Sequence, residues 1–330
     1  LQKIANRAYT KVPGGPLSAK LGNLALESLA AIGTVQAFGA LNNLKAKAKY
    51  LVYVRAIASA AKKFSGLLKQ YPEAELQDRV IPDHEMVAGQ KKIQVGDYEA
   101  ILRLEGMKVH LSWLNDKGKA IASIPAELRR DFAGELQSVK VAARSIEETL
   151  LAQKLRLENS WLENRSWPFP LWQECFLSHA LISPLVKRLI WQAQTKTGTI
   201  AFMALENELA DRSGHAVSIP DDATIRLWHP ALAGSVEEVV SWRNLLFEKH
   251  LVQPFRQAFR EVYLLTPAEE ATFDHSNRFS GHKLRGNTLY SLGKNRSWTM
   301  TYEQAPLRKL PEAGLFAELA INGRVLYDNC

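Results

Sequence analysis

Cysteine is scarce: Cys175 and Cys330 are the only two among 330 residues. That number builds neither a disulfide framework nor a thiolate metal site, and it fits a reducing compartment. Long apolar runs are missing as well. No stretch approaches the ~18 uninterrupted apolar residues of a membrane helix, and Leu1 to Thr10 mix polar and apolar types unlike a signal peptide, so a cytoplasmic chain without membrane association is expected. Neither Gly-x-x-x-x-Gly-Lys-Ser/Thr nor Gly-x-Gly-x-x-Gly occurs, which argues against an ATP-driven or dinucleotide-dependent enzyme. No Gly-x-Ser-x-Gly elbow occurs either, and Cys175 sits in an apolar setting between Glu174 and Phe176, where an inert thiol is the ordinary state. The eight histidines offer no pair at metal-ligand spacing. His275 and His282 come nearest, with Gly281 interrupting any helix between them. No metal or cofactor is expected.

What the chain does have is ordinary globular material. Hydrophobic residues make up 46% and charged residues 23%, enough for one large domain or two modest ones. Its net charge of +8 is unevenly placed. Residues 1–72 carry eleven Lys and Arg against one acid, Glu27, whereas residues 73–330 carry 31 bases and 33 acids. A localised positive field of this kind attracts an acidic protein surface or, less readily, nucleic acid, although it also suits a solvated helical face. Lys45, Lys49, Arg55, Lys62, Lys63 and Lys69 are the candidate polyanion-binding residues. Lys45, Lys49 and Lys63 fall near one helical azimuth and Arg55, Lys62 and Lys69 about 100° away, so any nucleic-acid binding is expected to be weak and non-specific.

The fold class expected is α+β. Residues 1–72 read as helices. Leu17, Leu21, Leu24 and Leu29 recur at helical spacing up to Gly33, a short helix runs from Val35 to Asn42-Asn43, and a longer one holds Tyr50, Val54, Ile57, Ala61, Phe64 and Leu68 on one face. Short helix, Asn turn and long helix resemble a HEAT-like hairpin at the end of a solenoid that continues upstream of Leu1, with a plain helical bundle as the other reading. Residues 73–92 read as a linker, and residues 93–330 as a mixed domain. Within it, 98–124 forms a β-meander, a spine helix runs from Pro125 to about Asn164, and helix continues over Trp172 to Gln194 with a break at Pro184. A second meander covers 199–229, helices span 236–248 and 253–263, and Asn322-Gly323 marks a terminal hairpin. The chain reads as part of a longer protein.

The densest polar run is Asn277-Arg278-Phe279-Ser280-Gly281-His282-Lys283-Leu284-Arg285, where forked guanidiniums could meet an anion or pair with Glu269, Glu270 and Asp274 upstream. With Arg260 it makes the candidate polar centre: Arg260, Asn277, Arg278, His282 and Arg285, expected over an interior of Phe255, Phe259 and Phe279.

Several strings then carry a resemblance. Leu227-Trp228-His229-Pro230, Trp242-Arg243, Gln253-Pro254-Phe255-Arg256-Gln257, Arg260-Glu261-Val262-Tyr263, Asn277-Arg278-Phe279, Gly281-His282 and Leu284-Arg285, with Gly96-Asp97-Tyr98, Asp116-Lys117-Gly118-Lys119, Arg156-Leu157-Glu158 and Arg188-Leu189-Ile190-Trp191 before them, resemble the C-terminal domain of unknown function of bacterial MolR-like proteins, which often carry a WGR domain. The resemblance implies one part of a large bacterial cytoplasmic protein with a regulatory label and no agreed catalytic residues. Three functions stay open: a non-catalytic regulatory or scaffolding region, a nucleic-acid-associated protein using the basic helices, and an enzyme centred on Arg278, His282 and Arg285.

Overall fold

Period-two alternation builds the first sheet. In the computed structural model, which describes residues 1–12, 15–48, 51–70, 73–205, 208–296, 298–299, 305–310 and 313–321, the chain divides into two compact units. One comprises Leu1–Leu104, Val109–Thr149 and Glu174–Leu181, the other Glu105–Lys108, Leu150–Gln173 and Ile182–Cys330. Helices and antiparallel sheets occur in an α+β arrangement with a helical N-terminal segment.

The first unit opens with helix α1 (Gln2–Ala8), a two-residue ladder of β1 (Lys11–Val12) with β2 (Gly15–Pro16), and helices α2 (Ala19–Ile32), α3 (Val35–Lys47), α4 (Leu51–Lys62), α5 (Ser65–Gln70) and α6 (Glu73–Arg79). Ser18 caps α2 by accepting from the Leu21 amide, and Gly33 ends it in the left-handed conformation that a residue without Cβ adopts freely. Helix α3 runs through Asn42-Asn43, where the sequence suggested a turn, because Phe38, Leu41 and Leu44 are all buried on one face and that burial outweighs the weak helix propensity of Asn. The longer helix splits into α4 and α5 around Phe64, which turns into the core formed by Leu26, Leu29, Phe38, Leu41, Tyr53 and Ile57. The stretch read as a linker is ordered: α6 packs on α3 and buries Leu76 completely.

Strands β3 (Gln90–Val95), β4 (Tyr98–Glu105), β5 (Lys108–Leu114) and β6 (Ala120–Ile121) then form an antiparallel sheet in chain order. Alternate residues Ala100 and Leu102 of β4 are buried. The β3–β4 turn needs Gly96: its φ is 57°, and an added Cβ would lie 2.8 Å from the Phe132 ring. Helices α7 (Ala126–Asp131) and α8 (Ala133–Asn159) replace one continuous spine, breaking at Phe132.

The second unit is built on a sheet of β7 (Ser166–Pro168), β8 (Trp191–Thr195), β9 (Gly198–Leu205), β10 (Glu208–Ala210) and β11 (Thr224–Leu227), in the antiparallel order β10-β9-β8-β11-β7. Helix α9 (Phe169–Trp172) follows β7. The helix expected over Trp172–Gln194 is reduced to a π-helical turn (Gln173–Leu177) and helix α10 (Ser183–Val186). It gives way to strand at Trp191, because Trp191 and Ala193 are wholly buried in the centre of this sheet and β8 pairs on both edges. Only the β9–β10 part of the second meander pairs as consecutive strands; residues 215–219 contribute a single bridge, Ala210 to Ala216. Trp172 packs edge-on to Trp191 and Phe202, with centroids 5.2 and 5.5 Å away, each such contact adding about 0.5–1.5 kcal/mol beyond burial. On another part of the sheet, helix α11 (Val236–Glu248) sets Trp242, Leu245 and Leu246 against Ile190, Met203 and Trp228. Helices α12 (Pro267–Thr272) and α13 (Gly286–Asn295) and the pair β12 (Leu307–Leu310) and β13 (Leu315–Glu318) follow. The Asn322-Gly323 hairpin lies outside the described residues.

Candidate functional site

Residues 253–263 were expected to be helical and are not. Pro254 lacks an amide hydrogen, Gln253 takes up the Ala258 amide that a helix would have paired internally, and Gln257 bonds the backbone of other segments. Gln257, wholly buried, is the centre of this arrangement. Its Nε2 donates to the carbonyls of Ile190 at 2.6 Å and Trp228 at 2.9 Å, while its Oε1 accepts from the Ile190 amide and from Gln253 Nε2, both at 2.8 Å. Gln253 Oε1 accepts from the Ala258 amide at 2.9 Å, and Arg243 Nε donates to the Ala258 carbonyl at 2.9 Å. The loop is thereby pinned beside the start of β8 and the end of β11, and its rigidity fixes where Phe255 and Arg260 point.

Arg260 is held in three ways. Its Nε donates to the Arg256 carbonyl at 3.1 Å, its guanidinium lies 4.6 Å over the Trp161 ring, and its Nη2 meets Glu158 Oε1 at 2.5 Å. Arg296 Nη1 meets the same oxygen at 2.6 Å. Glu158, near the end of α8, is 5% exposed; a carboxylate so buried requires paired charge, and two guanidiniums supply it. Arg308 braces the group from behind, donating to the Arg296 carbonyl at 2.5 Å and to Asn159 Oδ1 at 3.2 Å. A cleft of 460 Å³ opens here, lined by Lys154, Arg256, Arg260, Arg296, Glu158 and Glu261, with Phe255 as its apolar member. Arg256 pairs with Glu261 at 3.2 Å.

A second hollow, of 290 Å³, is lined by Trp161 together with Arg165, Arg226 and His229. Trp161 donates to the Leu227 carbonyl at 3.2 Å and packs edge-on to His229, 4.7 Å between centroids. His229 Nδ1 accepts from the Ala231 amide at 3.0 Å, which places the neutral ring's proton on Nε2. Burial, then the positive Arg260, pushes the pKa of His229 below its usual value.

Arg278 lies in a different constellation. It donates to Glu269 and to the Leu264 carbonyl, the latter at 2.6 Å, and its guanidinium lies 5.3 Å over Tyr263. Glu269 also accepts from Ser276 Oγ and the Thr266 amide, and is held down to about 2 by the Ser276 hydroxyl first and the Thr266 amide next. His282 Nδ1 donates to the Phe279 carbonyl at 3.1 Å, and Asn277, His282 and Arg285 are exposed. Of the three phenylalanines expected inside, Phe255 is buried, while Phe259 and Phe279 are 38% and 54% exposed. Each of those two finds a surface neighbour instead: Phe259 packs on Phe247 and Arg243, and Phe279 on Tyr263.

In the first unit, Arg55, Lys62, Lys63 and Lys69 are exposed on and around α4 and α5. Lys45 belongs to α3, and Lys49 lies outside the described residues. Among the described residues no group of three or more His, Cys, Asp or Glu is placed to hold a metal. Sequence reasoning ran the spine helix through Glu158 and Trp161, named Glu158 and His229 only within the strings of the resemblance, and passed over Lys154 and Arg296. One signal was Glu158, an acid three residues before Trp161 and so on the same side of a helix.

The profile of a protein family described as a domain of unknown function, DUF4132, matches residues 118–298. The chain belongs to the DUF4132 family. Every residue of the cleft over Glu158 lies inside the DUF4132 span. The uncharacterized protein YehI of Escherichia coli is 28% identical over 182 residues, which cover 54% of this chain and 14% of YehI. The chain therefore spans a small fraction of that relative's length. No solved structure matches it.

Proposed function

We propose that this DUF4132 chain is a non-catalytic regulatory or scaffolding region of a larger, MolR-like bacterial cytoplasmic protein, and that its partner is an acidic protein surface. The observation that carries the reading is the two-sidedness of α4 and the turn after it. Tyr53, Ile57, Ala60 and Phe64 are buried, whereas Arg55, Lys62 and Lys63, like Lys69 of α5, remain exposed. A basic face laid over a packed apolar one is a rigid platform for opposite charge. The groups best suited to proton transfer in the second unit support the same reading, because they have structural work. Glu158 is bound by two guanidiniums, and His229 holds a backbone amide on Nδ1.

Fluorescence anisotropy with a labelled poly-glutamate peptide and a labelled DNA duplex tests it. At about 50 mM salt the peptide is expected to bind more tightly than the duplex, and Lys62→Glu with Lys63→Glu to weaken it several-fold. Were about four cations to meet phosphates, log K for the duplex would fall with log salt at a slope near −3.6, on the order of 100-fold between 50 and 200 mM. Duplex binding tighter than peptide binding and following that slope would replace this reading with nucleic-acid association. Binding of neither removes the basic face as an interface.

A further inference from the structure

We propose that the cleft over Glu158 binds a doubly charged tetrahedral oxyanion, as inorganic phosphate or as the phosphate of a small phosphomonoester. This site is independent of the basic N-terminal helices. Four cations, Lys154, Arg256, Arg260 and Arg296, face two carboxylates, Glu158 and Glu261, across 460 Å³, an excess of two positive charges. Arg256 and Glu261 satisfy each other. The surplus therefore belongs to Lys154, Arg260 and Arg296 above Glu158, and among the described residues Lys154 has no ion-pair partner.

The two guanidiniums are already arranged for an oxyanion. Both grip one oxygen, Glu158 Oε1, at 2.5 and 2.6 Å, which holds their bound nitrogens within about 5 Å of each other, a spacing that two oxygens of one phosphate can bridge. Glu158 is 5% exposed, whereas Arg260 and Arg296, which line the cleft, are 28% and 45% exposed. Arg260 is pre-set by the Trp161 ring and the Arg256 carbonyl, and Arg296 by its bond to the buried Glu158 carboxylate. Little side-chain freedom is left to lose on binding, so the pairing is efficient. The volume exceeds that of a bare phosphate and Phe255 offers an apolar wall, which favours a phosphomonoester with a small organic group.

Calorimetric titration of the full chain with inorganic phosphate and with phenyl phosphate, using acetate as a monoanion control, tests the proposal. Phosphate probes are expected to bind and acetate not to. Phenyl phosphate binding more tightly than phosphate identifies the phosphomonoester form, and equal affinities identify the free ion. Arg296→Ala and Lys154→Ala, both altering partly exposed side chains, should each cost about 10-fold in affinity, the loss of a charge-assisted hydrogen bond, with near-ultraviolet circular dichroism unchanged. Lys62→Glu with Lys63→Glu should leave phosphate binding intact. No binding at millimolar phosphate, binding unchanged in the Arg296 and Lys154 variants, or binding lost with the Lys62 and Lys63 reversals would each overturn the proposal, the last two while leaving the acidic-partner reading standing.

Discussion

Arg260 lies over the face of Trp161, 4.6 Å from the ring centroid, and from that position delivers Nη2 to Glu158. One indole thus orients the cation that neutralises a buried acid 102 residues away in sequence. A guanidinium stacked on an aromatic and forked onto a carboxylate is not replaceable by lysine, whose point charge can do only one of these things.

Removing the acid should therefore hurt more than removing either base. Glu158→Ala leaves Arg260 and Arg296 close together without their counter-ion. The loss for a broken buried pair is about 3–5 kcal/mol, reduced here because Arg296 is substantially exposed. Arg296→Ala leaves the Arg260 bond intact and should cost about 1 kcal/mol or less. Urea denaturation of both single variants and the double variant gives the coupling; a Glu158→Ala loss no larger than that of Arg296→Ala would show the carboxylate to be incidental.

Gln257 should be irreplaceable by shape alone. Gln257→Leu keeps the volume but strands the Ile190 amide and the Trp228 carbonyl, each unsatisfied group costing about 1–3 kcal/mol, whereas the Ile190 carbonyl still accepts from the Trp228 amide. Gln257→Glu is expected to be worse, since an acceptor would then face two carbonyls. Thermal unfolding followed by tryptophan fluorescence should rank wild type above Gln257→Leu above Gln257→Glu.

The Glu269 cluster makes a pH prediction. Its carboxyl falls from an ordinary 4.5 to about 2, through the Ser276 hydroxyl and the Thr266 amide. The native state binds the proton less readily than the unfolded state, so this contribution is fully present above about pH 4.5 and is lost as pH falls toward about 2. Hydrogen exchange in α12, whose capping box pairs Thr266 with Glu269, should quicken across that window. Glu269→Gln should exchange fast at pH 6 and show little further change on acidification; a wild-type helix indifferent to pH between 5 and 2 would contradict the assignment.

Local pattern alone determined much of this chain. Alternation over residues 98–114 specified β4 and β5, the leucine spacing before Gly33 marked α2 as a helix although Leu21 and Leu24 are exposed and Ala25, Leu26 and Leu29 form its buried face, and the counts of Lys and Arg located the positive end. These features were legible because period and charge are properties of neighbouring residues. Tertiary structure decided where local preference is weak or divided. Asn42-Asn43 stayed helical because Phe38, Leu41 and Leu44 share a buried face. Trp191 became a strand because both edges of β8 found partners. Residues 253–263 gave up helix because Gln253 and Gln257 bond the backbone of other segments. The candidate residues divided in the same way: Arg278 met Glu269, nine residues away, whereas Arg260 and Arg296 met Glu158 across more than a hundred. A buried acid selects its cations by desolvation, and only the folded chain sets which groups lose their water together.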